Sequence, residues 1–102
     1  MNFIKEVPGM DDIEVYRKQL DEIDQEMRKL FIQRMETVAK VAHWKSVHNF
    51  PIFDSTREAS MIKINIESIE SPEFRKYYEE FLMSILKVSK EYQVFLLSRG
   101  VL

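Results

Sequence analysis

Residues 11–48 read DDIEVYRKQLDEIDQEMRKLFIQRMETVAKVAHWKSVH, and this segment sets the architecture of the chain. Its apolar residues recur at intervals of three and four, which is typical of one face of an α-helix. They are Ile13, Tyr16, Leu20, Ile23, Met27, Leu30, Val38 and Val41. Asp11 or Asp12 fits the N-cap, and nothing breaks the pattern before Pro51. The segment therefore predicts one helix of about 37 residues, or roughly 55 Å at about 1.5 Å per residue.

Two shorter helices are predicted after this one. The second covers about 55–69, with Asp54 or Ser55 as its N-cap and Glu58 at the capping-box spacing from Ser55. The third covers about 72–98, because a proline is favoured in the first turn of a helix. The predicted fold class is therefore all-α, a three-helix protomer with a very long first helix.

The composition supports a single helical domain. The chain has 102 residues, of which 45% are hydrophobic and 31% charged, so it is neither a disordered polyelectrolyte nor a membrane protein. Only 2 glycines and 3 prolines leave little scope for the tight turns that short strands need. We expect a leader at 1–10, a helical domain at 11–98 and a tail at 99–102.

Charge and residue types argue against several kinds of partner. With 15 Lys and Arg against 17 Asp and Glu, the net charge of −2 argues against nucleic acid. The chain has no cysteine, and His43 and His48 fall on different helical faces, so no metal site is predicted. We expect no signal peptide and no membrane span, because no run reaches about 18 apolar residues, and a cytoplasmic location.

The first helix is too long for a compact monomer of this size. A chain of this length has a radius of gyration near ~13 Å when compact. A rod of roughly 55 Å projects beyond that and leaves much of its apolar stripe in water. A second copy that packs its own long helix alongside would cover the stripe. We therefore expect an obligate, intertwined helical-bundle homodimer.

Polar side chains interrupt the apolar face of each predicted helix. Arg34 and Lys45 lie at the centre of the first stripe, about 20° apart on the helical wheel. Glu58 shares the apolar face of the second helix, and Ser89 and Gln93 share that of the third. Each cation either pairs with an internal carboxylate, extends to solvent near a helix end, or lines a polar cavity. Because cations exceed anions here, a cavity would take a small anionic ligand.

Five parts of the chain form an ordered set with characteristic spacings. They are Tyr16–Asp24 (YRKQLDEID), Arg34, Val41–Lys45 (VAHWK), Pro51–Glu58 (PIFDSTRE) and Ser89–Gln93 (SKEYQ). This set resembles the all-α chorismate mutases, the three-helix type II family, over nearly the whole chain. The resemblance implies a protomer that dimerises through its long first helix, with two active sites built from both chains.

The resemblance also implies a reaction, the Claisen rearrangement of chorismate to prephenate in the biosynthesis of aromatic amino acids. The rearrangement is intramolecular and needs no nucleophile, metal or redox cofactor, so no cofactor is expected. The protein has to hold a dianion in a compact conformer and stabilise the charge that develops on the breaking ether oxygen.

The family roles carry over to positions of this sequence that match the family pattern. Arg34 and, from the partner chain, Arg17 would clamp the two substrate carboxylates. Lys45 and Gln93 would donate to the ether oxygen, with Lys45 also touching a carboxylate. Glu58 would accept a hydrogen bond from the ring hydroxyl.

Three further positions complete the set that the resemblance implies. The backbone near Asp54 would assist Glu58, Arg57 would order the edge of the site with Asp54, and Ser89 would support a carboxylate. All eight positions carry the residue type that the family pattern expects.

Two other functions stay open on the sequence. Isochorismate-pyruvate lyases share the fold, but the position of Glu58 is typically not acidic in their relatives. A non-catalytic ligand-sensing or interaction module is the other. The leader and the apolar end at 95–102 fall outside the resemblance, and they form either frayed or locally packed termini or a surface for docking another enzyme of the pathway.

Overall fold

The computed structural model describes residues 7–100, which form three α-helices. α1 is Asp12–Val47, α2 is Ser55–Glu67 and α3 is Pro72–Ser98. No strand occurs within 7–100, so the predicted all-α fold with a very long first helix is confirmed. Residues 1–6 of the predicted leader and 101–102 of the predicted tail lie outside the described residues.

A turn at Gly9 leads into α1. The Gly9 N–H donates to the Asp12 carboxylate at 2.7 Å, and the Asp12 N–H donates to the Gly9 carbonyl at 3.2 Å. Asp12 and Glu14 place negative charge in the first turn of α1, where the helix dipole favours it. The long helix therefore begins at Asp12, one of the two aspartates proposed for its N-terminal end.

α1 ends in a Schellman motif, which reverses the direction of the chain. Asn49 is the left-handed residue of the motif, with φ of 58°. The Phe50 N–H donates to the Lys45 carbonyl at 2.8 Å, and the Asn49 N–H donates to the Ser46 carbonyl at 3.5 Å. The Phe50 ring meets the Trp44 ring edge-on at 4.8 Å, the apolar contact that usually accompanies this motif. The segment after Phe50 consequently returns toward the last turn of α1.

Asp54 begins α2 as its N-cap. The Asp54 Oδ1 accepts a hydrogen bond from the Arg57 N–H at 3.0 Å, so the first of the two predicted caps is correct. The capping-box prediction for Glu58 is wrong, because the cap lies one residue earlier than Ser55. Glu58 therefore falls one position beyond the reach of a capping box, and its carboxylate bonds to a different helix.

The chain divides into two compact units, one up to Arg34 and one from Met35 onward. In the first unit, α1 carries a row of half-exposed apolar side chains that are between 36% and 61% accessible. We call this row the α1 stripe; it consists of Ile13, Tyr16, Leu20, Ile23, Met27 and Leu30. No described residue of α1 within this unit is buried.

The second unit contains the end of α1 together with α2 and α3, and α2 packs against α3. Its buried apolar residues are Ala42, Leu82 and Leu86. Ser89 and Gln93 are also buried, and they continue the row of Leu82 and Leu86 along α3. The buried face of α3 is therefore apolar in its first half and polar in its second.

Candidate functional site

Lys45 is half-buried in the last turn of α1. Its ammonium Nζ donates to the backbone carbonyl of Ile52 at 3.0 Å. The Schellman motif makes this bond possible because it brings the chain back past the helix end. Within residues 7–100, no carboxylate lies at ion-pair distance from Lys45. Its charge is therefore not neutralised by an internal acid of this part of the chain, and two of its three donors remain for a ligand.

Asp54 and Arg57 lie at the start of α2, and both are exposed. The bond between them joins the Asp54 carboxylate to the backbone N–H of Arg57, at 3.0 Å. This bond fixes the first turn of α2, and it leaves the Arg57 guanidinium outside the cap.

Glu58 lies one residue further along α2 and faces α3. Its two carboxylate oxygens lie 3.1 and 3.2 Å from the ammonium of Lys90. The pair joins positions 32 residues apart in sequence, and both side chains are about two-thirds buried, with Glu58 27% and Lys90 34% exposed. The pair therefore links the start of α2 to the polar half of α3.

Ser89 and Gln93 lie one turn apart on the buried face of α3. The Ser89 hydroxyl donates to the Ile85 carbonyl at 2.7 Å, and the Gln93 amide Nε2 donates to the Ser89 carbonyl at 3.4 Å. The Gln93 Oε1 is buried and has no hydrogen-bond partner in the described part of the chain. A buried acceptor without a partner is costly, so such a group is often a functional one.

Arg17 and Arg34 lie in the first unit, on α1. Arg17 is exposed and pairs with Glu14 one turn earlier at 2.9 Å, whereas Arg34 is half-buried. The second unit holds the other six predicted site residues, which are Lys45, Asp54, Arg57, Glu58, Ser89 and Gln93.

Sequence reasoning missed Lys90 as a member of this group. Lys90 lies about 40° from Leu86 on the helical wheel, at the edge of the buried face of α3. That position was a usable signal, because a cation beside a buried face needs a partner. The identity of the partner, on another helix, was not readable from periodicity.

A family model described as chorismate mutase type II matches residues 16–94. The chain belongs to the type II chorismate mutase family. The match includes all of α2, most of α1 and α3, and every site residue predicted from the sequence.

A curated protein is similar to this chain over a shorter stretch. The chain is 33% identical over 54 residues to the T-protein of Haemophilus influenzae. The matched stretch is 53% of this chain but only 14% of the T-protein, so the relative is a much longer protein.

The described residues offer neither a membrane-spanning helix nor a cluster of metal-ligating side chains. None of the described helices is long and apolar enough to cross a membrane. Residues 7–100 also contain no group of three or more His, Cys, Asp or Glu side chains that could hold a metal ion.

Proposed function

We propose that this chain catalyses the rearrangement of chorismate to prephenate. In that reaction the ether C–O bond breaks as a C–C bond forms within one molecule, with no net transfer of protons or electrons. Catalysis then depends on holding the compact conformer and on stabilising the oxygen that gains negative charge. The predicted site residues suit that task, because most of them are cations or hydrogen-bond donors.

The observation that carries the proposal is the bonding of Lys45. The half-buried ammonium of Lys45 bonds in the described chain to a neutral carbonyl, so no carboxylate of that part of the chain offsets its charge. Such a group is ready to donate to an anionic ligand without first breaking an ion pair. Lys45 would donate to the ether oxygen and to one carboxylate of the substrate.

The buried amide of Gln93 supports the same assignment. One N–H of its Nε2 is directed at the Ser89 carbonyl in a long bond, and the second N–H remains for the ether oxygen. Glu58 would accept a hydrogen bond from the ring hydroxyl. Arg57 and Asp54 would order the edge of the site, and Ser89 would support a carboxylate.

Two arginines of α1 would hold the substrate carboxylates. Arg34 would bind one of them, and Arg17 of a second copy would bind the other. This proposal requires a homodimer, and the α1 stripe supports one, because its six half-exposed side chains need an apolar partner. Covering them would contribute on the order of 5 kcal/mol per chain. A cytoplasmic location and docking to another enzyme of the pathway stay predictions.

Product analysis tests the proposed reaction and separates it from the lyase of the same fold. The purified protein is incubated with chorismate or with isochorismate, and the products are identified by chromatography against standards. We expect prephenate from chorismate well above the uncatalysed rate. Salicylate and pyruvate from isochorismate as the main activity would favour the lyase, and binding of chorismate without turnover would favour a ligand-sensing module.

A further inference from the structure

Lys90 makes an ion pair that differs from the surface pairs of this chain. Its Nζ lies close to both oxygens of Glu58, at 3.1 and 3.2 Å, and the pair joins two helices. By contrast, Lys87 and Glu91 pair at 3.8 Å along one face of α3, where they are 77% and 64% exposed. The Lys90 pair is better shielded from water, so its electrostatic effect is stronger.

The charge of Glu58 matters because the proposed ligand carries two negative charges. A carboxylate beside the site would repel such a ligand, and more strongly where burial lowers the effective dielectric constant. The Lys90 ammonium cancels that charge. A carboxylate has about four acceptor positions, so after Lys90 has taken two of them Glu58 can still accept a hydroxyl.

Lys90 also restrains the segment that carries Glu58. Its Nζ lies 5.9 Å from the centre of the Phe53 ring, within the range of a cation–π contact. Phe53 precedes Asp54, the N-cap of α2. The Lys90 ammonium thus contacts Phe53, just before α2, and Glu58, near the start of α2. Ser89 and Gln93 lie on the same helix as Lys90.

We propose that Lys90 is a positioning residue, which holds Glu58 against α3 and neutralises it so that the site admits a dianion bearing a hydroxyl group. This inference rests on the proposed function. The hydroxyl contact and the relieved repulsion act on bound substrate and transition state alike. Loss of Lys90 is therefore expected to raise KM much more than it lowers kcat.

Steady-state kinetics with chorismate test this proposal. We expect Lys90→Met to raise KM about 10-fold or more while kcat stays within about 3-fold. Lys90→Arg should restore most of the loss, since a guanidinium can also bridge both carboxylate oxygens. Lys87→Met, which removes the same charge from the exposed face of α3, is the matched control and should leave both constants unchanged. Lys90→Gln serves in place of Lys90→Met if melting curves show the latter to be unfolded.

Repeating the Lys90→Met kinetics in a protein that also carries Glu58→Gln shows whether Lys90 acts through Glu58. In Glu58→Gln the charge that Lys90 neutralises is gone, so adding Lys90→Met should change KM less than about 2-fold. An equal rise in KM in both backgrounds, or Lys90→Met kinetics equal to those of Lys87→Met, would overturn the proposal while leaving the mutase activity in place. A wild-type protein without chorismate turnover would overturn the proposed function, and this inference with it.

Discussion

Lys45 on α1 and Gln93 on α3 each have hydrogen-bonding groups that the described part of the chain does not use. Lys45 uses one of its three donors on the Ile52 carbonyl, and the buried Gln93 Oε1 has no partner in the described chain. Polar groups that the fold leaves without a hydrogen-bond partner are commonly found at functional sites.

Replacing Lys45 by methionine should lower kcat by about 10²- to 10³-fold, the effect of removing a positioned donor to a developing oxyanion. The fold should survive, because methionine keeps the apolar part of the side chain. Lys40→Met is the matched control, since Lys40 is an exposed lysine of the same helix. Steady-state kinetics together with far-ultraviolet circular dichroism check both variants. Turnover near the wild-type rate in Lys45→Met would show that its assigned role is wrong.

Replacing Gln93 by leucine should move stability and activity in opposite directions. Leucine removes a buried acceptor that has no partner, so the free energy of unfolding should rise by about 1 kcal/mol. Turnover should fall by about 10²-fold, because a donor to the ether oxygen is lost. Urea denaturation at a fixed protein concentration and steady-state kinetics provide the two measurements. A variant that is less stable and fully active would contradict both parts.

At the scale of the element, the ends of helices hold several predicted site residues in place. The Schellman motif after α1 does this for Lys45. It places Asn49 in a left-handed conformation. Residues with a Cβ adopt this conformation at a cost in free energy, which is smaller for asparagine than for most other residues. The returning chain then presents the Ile52 carbonyl to Lys45. The geometry of this helix end therefore sets where the Lys45 ammonium lies.

Asn49→Ala should destabilise the protein by about 1 kcal/mol, because alanine tolerates the left-handed region less well than asparagine. Asn49→Gly should be neutral or slightly stabilising, since glycine adopts positive φ freely. Thermal melting of the two variants beside the wild type measures the difference. Equal melting temperatures for the alanine and glycine variants would show that the left-handed turn is not needed.

The helices were readable from the sequence because their signals are local. The spacing of apolar residues gave the length of α1, Pro72 gave the start of α3, and an aspartate gave the cap of α2. The pair of Glu58 and Lys90 was not readable, because it joins positions 32 residues apart on different helices. The capping-box error at Glu58 has the same origin, since the local pattern offered two caps and did not reveal the competing partner on α3.

At the scale of the whole molecule, the exposed α1 stripe favours association with a second copy of the chain. Leu20 is 56% exposed at the middle of the stripe, and a charge placed there would face the apolar partner that the proposed dimer would supply. Leu20→Asp should therefore shift the protein from dimer to monomer, since burying an unpaired carboxylate is strongly unfavourable. Gln19→Asp adds the same charge at the neighbouring exposed position and should stay dimeric.

Sedimentation equilibrium at micromolar concentration measures the oligomeric state of both variants. Loss of activity should accompany the loss of the dimer in Leu20→Asp, because Arg17 would no longer reach the site of a partner. A dimeric Leu20→Asp, or a wild-type protein that is monomeric and folded at that concentration, would contradict the packing assigned to the stripe.

Mixing two inactive variants tests the central claim most directly, namely that cations from two copies of this chain hold one dianionic substrate. Arg17→Ala and Arg34→Ala are each purified, combined in equal amounts and left until exchange of subunits is verified by mass spectrometry of a tagged copy. Half of the dimers then contain one chain of each kind, and one of their two sites is intact. The mixture should therefore recover about a quarter of the wild-type chorismate turnover. A mixture no more active than its components after complete exchange would contradict the account.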